Sequence, residues 1–81
     1  MVPSIIVTSA GMYRSQVSSS VITSVGYDEQ RRVLEVQFVS GAVYRYHRVS
    51  RDVFEGLLDA SSKGTFFNAH IKDEYLWEQV K

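Results

Sequence analysis

The sequence has no cysteine, no excess of either charge and no long apolar run. Without cysteine there is neither a disulfide framework nor a thiolate metal site, which removes the usual staples of small secreted domains and fits a reducing interior. Nine basic side chains balance nine acidic ones, so no global field draws the chain toward nucleic acid or anionic lipid, and any such attraction must be local. The apolar stretch from Ile5 to Thr8 has no basic leader and is too short for a signal peptide or a spanning helix. A cytoplasmic protein without membrane attachment is expected.

What is present fits one small domain. The 81 residues, 44% of them hydrophobic, suffice for a single core near the size at which independent folding becomes marginal. Residues 1–18 are rich in serine and read as an arm, flexible or paired as an edge strand, since Ile5-Ile6-Val7-Thr8 has high strand propensity. Residues 19–81 read as the domain proper. Three period-two segments follow one another: Val21, Thr23, Val25 and Tyr27 alternate with Ile22, Ser24 and Gly26; Leu34, Val36 and Phe38 with Val33, Glu35 and Gln37; then Ala42 to Arg48 after Ser40-Gly41. Short polar turns join them, so sequence neighbours should pair.

Two helices should cover this meander. Ser50 is a candidate N-cap with Asp52 in the first turn, and Val53, Phe54, Leu57 and Leu58 form one apolar stripe. Ser61-Ser62-Lys63-Gly64 reads as the stop, with Gly64 in the left-handed conformation. Phe67, Ile71 and Tyr75 recur at helical spacing, with Phe66 and His70 one step round, while Tyr75-Leu76-Trp77 either extends that helix or folds back over the sheet edge. The expected class is α+β: a three-stranded antiparallel meander followed by two helices packed on one face, β-β-β-α-α, with room for an extra N-terminal strand.

The orientation of Tyr44 and Tyr46 depends on the Ser40-Gly41 turn. A two-residue loop puts both rings on the polar face beside Glu35 and Gln37, where they are able to stack bases. A three-residue loop with Gly41 left-handed in a bulge pairs Val36 with Tyr44, Leu34 with Tyr46 and Glu35 with Arg45. The second register gathers the apolar groups, and burying each ring contributes about 2 kcal/mol. It is the favoured one, with both tyrosines mainly in the core and Glu35, Gln37, Arg45 and His47 on the open face.

The run from Ser19 to Tyr75 resembles the KTSC domain. The matching features are Ser19-Ser20, Val25-Gly26-Tyr27-Asp28, Leu34-x-Val36-x-Phe38, Ser40-Gly41, Tyr44-x-Tyr46, Val49, Ala60-x-Ser62-Lys63-Gly64, Phe66-Phe67-Asn68 and Ile71. Ser50 departs from the pattern, which usually has proline there; either residue suits a helix start. KTSC domains are short, common in bacteria and phages, and also occur at the C-terminus of some lysyl-tRNA synthetases. That company suggests RNA or tRNA as a partner, an argument by association.

The residues themselves offer a local basis for it. Arg31, Arg32, Arg45, Arg48 and Arg51 face only Glu35 within the hairpin segment, so a nucleic-acid surface is expected from Arg45, Arg48, Arg51 and Lys63, with Tyr44 and Tyr46 as stacking rings if exposed. A solvated face of ordinary charges explains the same arginines. The alternative function is a protein interaction or self-association module using the sheet edges and the arm. Ser62-Lys63-Gly64 looks like a phosphate-cradling turn but lacks the preceding strand and spacing, and is read as a helix-to-helix turn. His70, Asp73 and Glu74 would share one helical side, which by itself is not a metal site. No nucleophile elbow, triad or carboxylate pair is visible, no cofactor is implied, and an enzyme would require at least a deep pocket lined by Tyr44, His47 and Lys63. A nonenzymatic role is expected.

Overall fold

The structure, a computed structural model, describes residues 5–7, 13–17 and 19–81. Its organising element is the hairpin of β4 (Val33–Phe38) and β5 (Val43–Tyr46). The Gly41 amide donates to Phe38 O at 2.9 Å, the Phe38 amide donates to Ala42 O at 2.9 Å, and Gly41 has φ 96°. This is the bulged turn: Leu34 pairs with Tyr46, Glu35 with Arg45 and Val36 with Tyr44. Collecting Leu34, Val36, Tyr44 and Tyr46 on one face outweighs the cost of the irregular turn, which glycine keeps low because it has no Cβ.

The sheet is larger than the three strands expected. β1 (Ile5–Val7), β2 (Tyr13–Gln16) and β3 (Ile22–Asp28) precede the hairpin, and β6 (Trp77–Gln79) follows the helices. All pairings are antiparallel, and the spatial order is β1-β2-β3-β4-β5-β6. β6 settles how the chain ends: it folds back beside β5, pairing Trp77 with Tyr46 and Gln79 with Tyr44, instead of extending a helix.

In β3 the simple alternation does not hold. The register shifts between Ile22 and Ser24, a bulge that leaves Thr23 exposed and puts Ile22 in the core together with Val25 and Tyr27. Val21, which alternates in step with Val25 and Tyr27 in the sequence, is 43% exposed, whereas Ile22 is fully buried. One extra residue is enough to reverse which side chains face inward upstream of it.

Both helices pack on one face of the sheet, as expected. α1 (Arg51–Asp59) starts at the Ser50 cap, whose side chain accepts from the Val53 amide, and buries Phe54 and Leu57. Tyr27 stacks on Phe54 at 5.0 Å between centroids and 12° between planes, and its hydroxyl donates to Val49 O at 2.6 Å. α2 (Lys63–His70) starts at Ser62 and buries Phe67, whose ring meets Tyr46 edge-on at 5.5 Å.

Gly64 is not the stop of α1, because Ala60 ends that helix in an extended conformation and Gly64 lies in the first turn of α2. Its value is nonlocal: a Cβ there would come within 2.8 Å of Val21 Cγ2. Ile71 caps α2 and is fully buried beneath both helices with Leu34, Val36, Val49 and Leu57. Among the described residues, no helix is long and apolar enough to cross a membrane.

Candidate nucleic-acid interface

The expected cations do not form one surface. Arg45 lies on the sheet face opposite the helices, where its Nε donates to Glu35 Oε2 at 2.9 Å across the strand pair. Lys63 is on the helix side, and its Nζ donates to Leu58 O at 2.9 Å and to Ala60 O. The ammonium therefore satisfies carbonyls that the end of α1 leaves without intrahelical partners. Replacing Lys63 by methionine keeps the stem and removes both bonds; urea unfolding should show a loss of about 1–2 kcal/mol.

Arg51 is tied down as well, through Nη1 to Glu29 Oε1 at 2.8 Å and Nε to Glu55 Oε1 at 3.2 Å. Arg48 is different. It is exposed, has φ 60°, and has no carboxylate at ion-pair distance among the described residues. Arg32 matches it in all three respects, with φ 56°. The two are brought together by the Val49 amide, which donates to Arg32 O at 2.9 Å and closes the β3–β4 turn against the β5–α1 connection. A side chain with a Cβ in this left-handed region costs about 1–2 kcal/mol, so both arginines are held there by the surrounding structure.

The tyrosines divide. Tyr46 is 3% exposed, and burial, helped by Tyr44 and the Asp73 carboxylate, pushes its phenol up to about 12. Tyr44 is half-buried; its hydroxyl donates to Gln79 Oε1 at 3.3 Å, and its ring meets Phe38 at 5.7 Å and Trp77 at 5.3 Å. These two rings and Tyr46 line a groove of about 600 Å³ between α2, the β4–β5 hairpin and β6. The sequence pattern left Trp77 either in the second helix or folded over the sheet edge and assigned it to no site.

Neither His47 nor Lys63 lines this groove. His47 Nε2 lies 3.7 Å from Glu78 Oε1, and Lys63 is spent on carbonyls. The triple Tyr44, His47 and Lys63 that an enzyme would have needed is thus not assembled. Since α2 stops at His70, Asp73 and Glu74 do not follow it on one helical side; the His70 ring packs instead on Phe66 at 4.6 Å. No group of three or more metal-ligating side chains occurs among the described residues.

Residues 18–75, most of the chain, match the KTSC domain. The chain belongs to the KTSC domain family. A solved KTSC domain protein from Yersinia pestis superposes with a TM-score of 0.83 at 40% identity, covering 86% of this chain and 99% of that one. An uncharacterised protein of Stutzerimonas stutzeri is 44% identical over 64 residues, 79% of this chain and 90% of its own length. The lysine–tRNA ligase of Nostoc punctiforme is 41% identical over 61 residues, 75% of this chain but 11% of the ligase. The KTSC domain is thus a small α+β unit that stands alone in some proteins and forms a minor part of some tRNA ligases, and the match indicates no catalytic family.

Proposed function

We propose that this KTSC domain is a nonenzymatic binding module for RNA, meeting phosphates at the sheet end where Arg32 and Arg48 converge. The observation that carries this reading is the pair of exposed left-handed arginines on two loops joined by the Val49–Arg32 hydrogen bond. Arg31 stands on the first of these loops and Arg51 opens α1 just after the second, the former partly neutralised by Asp28 and the latter by Glu29 and Glu55. Of the residues singled out from the sequence, Arg48 is central to this surface and Arg51 flanks it; Arg45 and Lys63 have structural partners. The relation to a segment of lysine–tRNA ligases supports RNA as the polyanion.

Backbone strain and charge give the test two readouts of opposite sign. Arg48→Gly together with Arg32→Gly removes two cations at positions where glycine is the least strained residue. Fluorescence anisotropy with single-stranded RNA or tRNA should show affinity falling steeply with salt, and the double variant should flatten the log–log salt slope by about 1.4. Its thermal midpoint should be unchanged or higher, and Lys63→Met should bind as wild type does. Absence of RNA binding at low ionic strength rejects the proposal.

Self-association is the second reading, favoured by β6. This edge strand is exposed along its whole length, and Leu76, Trp77 and Val80 are 79%, 51% and 40% exposed. A chain beginning at Ser18 would also lose β1 and β2, so comparing its mass in solution with that of the full chain separates assembly through the arm from assembly through β6.

A further inference from the structure

We infer that the groove beside α2 is a pocket for one unpaired nucleobase of the RNA strand whose phosphates the arginine end engages. The inference rests on the RNA reading and adds a site with separate residues. Its floor is apolar, made by Tyr46 and Phe67, while Tyr44 and the half-exposed Trp77 form one wall. The opposite rim carries three exposed polar side chains, Asn68, Lys72 and Asp73. At about 600 Å³ the groove falls within the size range of sites that enclose single small ligands.

The chemistry of the rim selects the occupant. An aromatic wall offers a flat face to any base, which is the sequence-tolerant part of single-strand recognition. The Asn68 carboxamide donates and accepts, and Asp73 accepts, so together they match the mixed edge of a base, while Lys72 supplies a cation for its phosphate. Asp73 reaches the groove electrostatically, because its charge contributes to the raised Tyr46 phenol. A purely apolar occupant would leave a carboxylate and an ammonium at the rim without a role.

The two sites are also close along β5. His47 donates its amide to Leu76 O at 2.9 Å, so the start of β6 runs alongside the end of β5 toward Arg48. Tyr44 and Arg48 are four residues apart, at most about 13 Å of extended chain. A short single strand spans that distance.

The chain's only tryptophan is Trp77, so its fluorescence reports on the pocket alone. The experiment titrates the full chain with an adenine hexaribonucleotide, a uracil hexaribonucleotide and an abasic hexamer of equal charge. Base-bearing oligomers should quench Trp77 and bind about tenfold more tightly than the abasic one. Trp77→Val, which keeps strand propensity, and Asn68→Ala, on the exposed side of α2, should each reduce that preference. The Arg32/Arg48 double glycine variant should weaken all three oligomers.

Equal binding of all three oligomers without quenching overturns the pocket and leaves the phosphate reading standing. No binding of any oligomer overturns both. Trp77 quenching that grows with protein concentration in the absence of RNA assigns the groove to a second copy of the chain and overturns the pocket.

Discussion

Phe54→Ala should unfold much of the population at moderate temperature, lowering stability by about 3–5 kcal/mol. The ring is 5% exposed and lies parallel to Tyr27, so its removal opens a void between α1 and the sheet, which the neighbouring elements are too constrained to fill. The void also frees Tyr27, whose hydroxyl pins the β5–α1 connection at Val49. A domain of this length has a total stability on the order of 4–12 kcal/mol, so the change removes a large share of it. Calorimetry should show the midpoint falling by at least about 15 °C, and Val53→Ala, one residue earlier and only half-buried, should cost much less. Equal, small losses in both variants would show that the Tyr27–Phe54 stack does not anchor α1.

The second large effect appears in alkali. The Tyr46 phenol titrates near 10 in an unfolded chain and is pushed up to about 12 in the fold, chiefly by burial. Because the folded value is the higher one, the contribution is complete below pH 10 and is lost as pH rises through 12, when the unfolded chain releases a proton that the folded chain retains. The two-unit difference corresponds to about 2–3 kcal/mol. Burial raises the Tyr27 phenol as well, against the opposing charge of Arg32, so both tyrosines act in the same direction. Urea unfolding at pH 8, 10 and 11 should show stability declining over the last step, and Tyr46→Phe should decline less. An unchanged pH profile in that variant would place the titrating group elsewhere.

Parts of this fold were legible because local and long-range requirements coincide. Leu34, Val36, Tyr44 and Tyr46 gather on one face only when Gly41 is left-handed, so pattern and turn chemistry gave one answer. The same agreement marked α1, where Ser50 caps a stripe of which Phe54 and Leu57 are buried. Other parts depended on distant neighbours. Gly64 resembles a helix terminator in isolation, yet it lies in the first turn of α2, where a Cβ would press on the Val21 side chain. Thr23 alternates in step with Val25 and Tyr27 in the sequence, and only the bulge beside it separates it from them. Trp77-Glu78-Gln79 is short and has no buried face, so nothing local marks it as a strand; β5 supplies the pairing.

The candidate site was less legible than the fold, for a related reason. A count of arginines between Arg31 and Arg51 gives their charge and not their partners. Glu35 faces Arg45 because of register, and Glu29 meets Arg51 because two loops close on each other. The two arginines with no carboxylate at ion-pair distance among the described residues are marked by a backbone conformation, φ 56° at Arg32 and 60° at Arg48, which composition does not record.

The order of strands in space repeats their order along the chain, and this bears on how the molecule assembles. From β1 to β5 every partner is the next strand to emerge, so each pairing closes only a short loop and the sheet is able to zip up progressively. β6 is the exception, since both helices separate it from β5. Its pairing must close a far longer loop than any other in the sheet, and the Trp77 wall of the groove is completed by that one pairing.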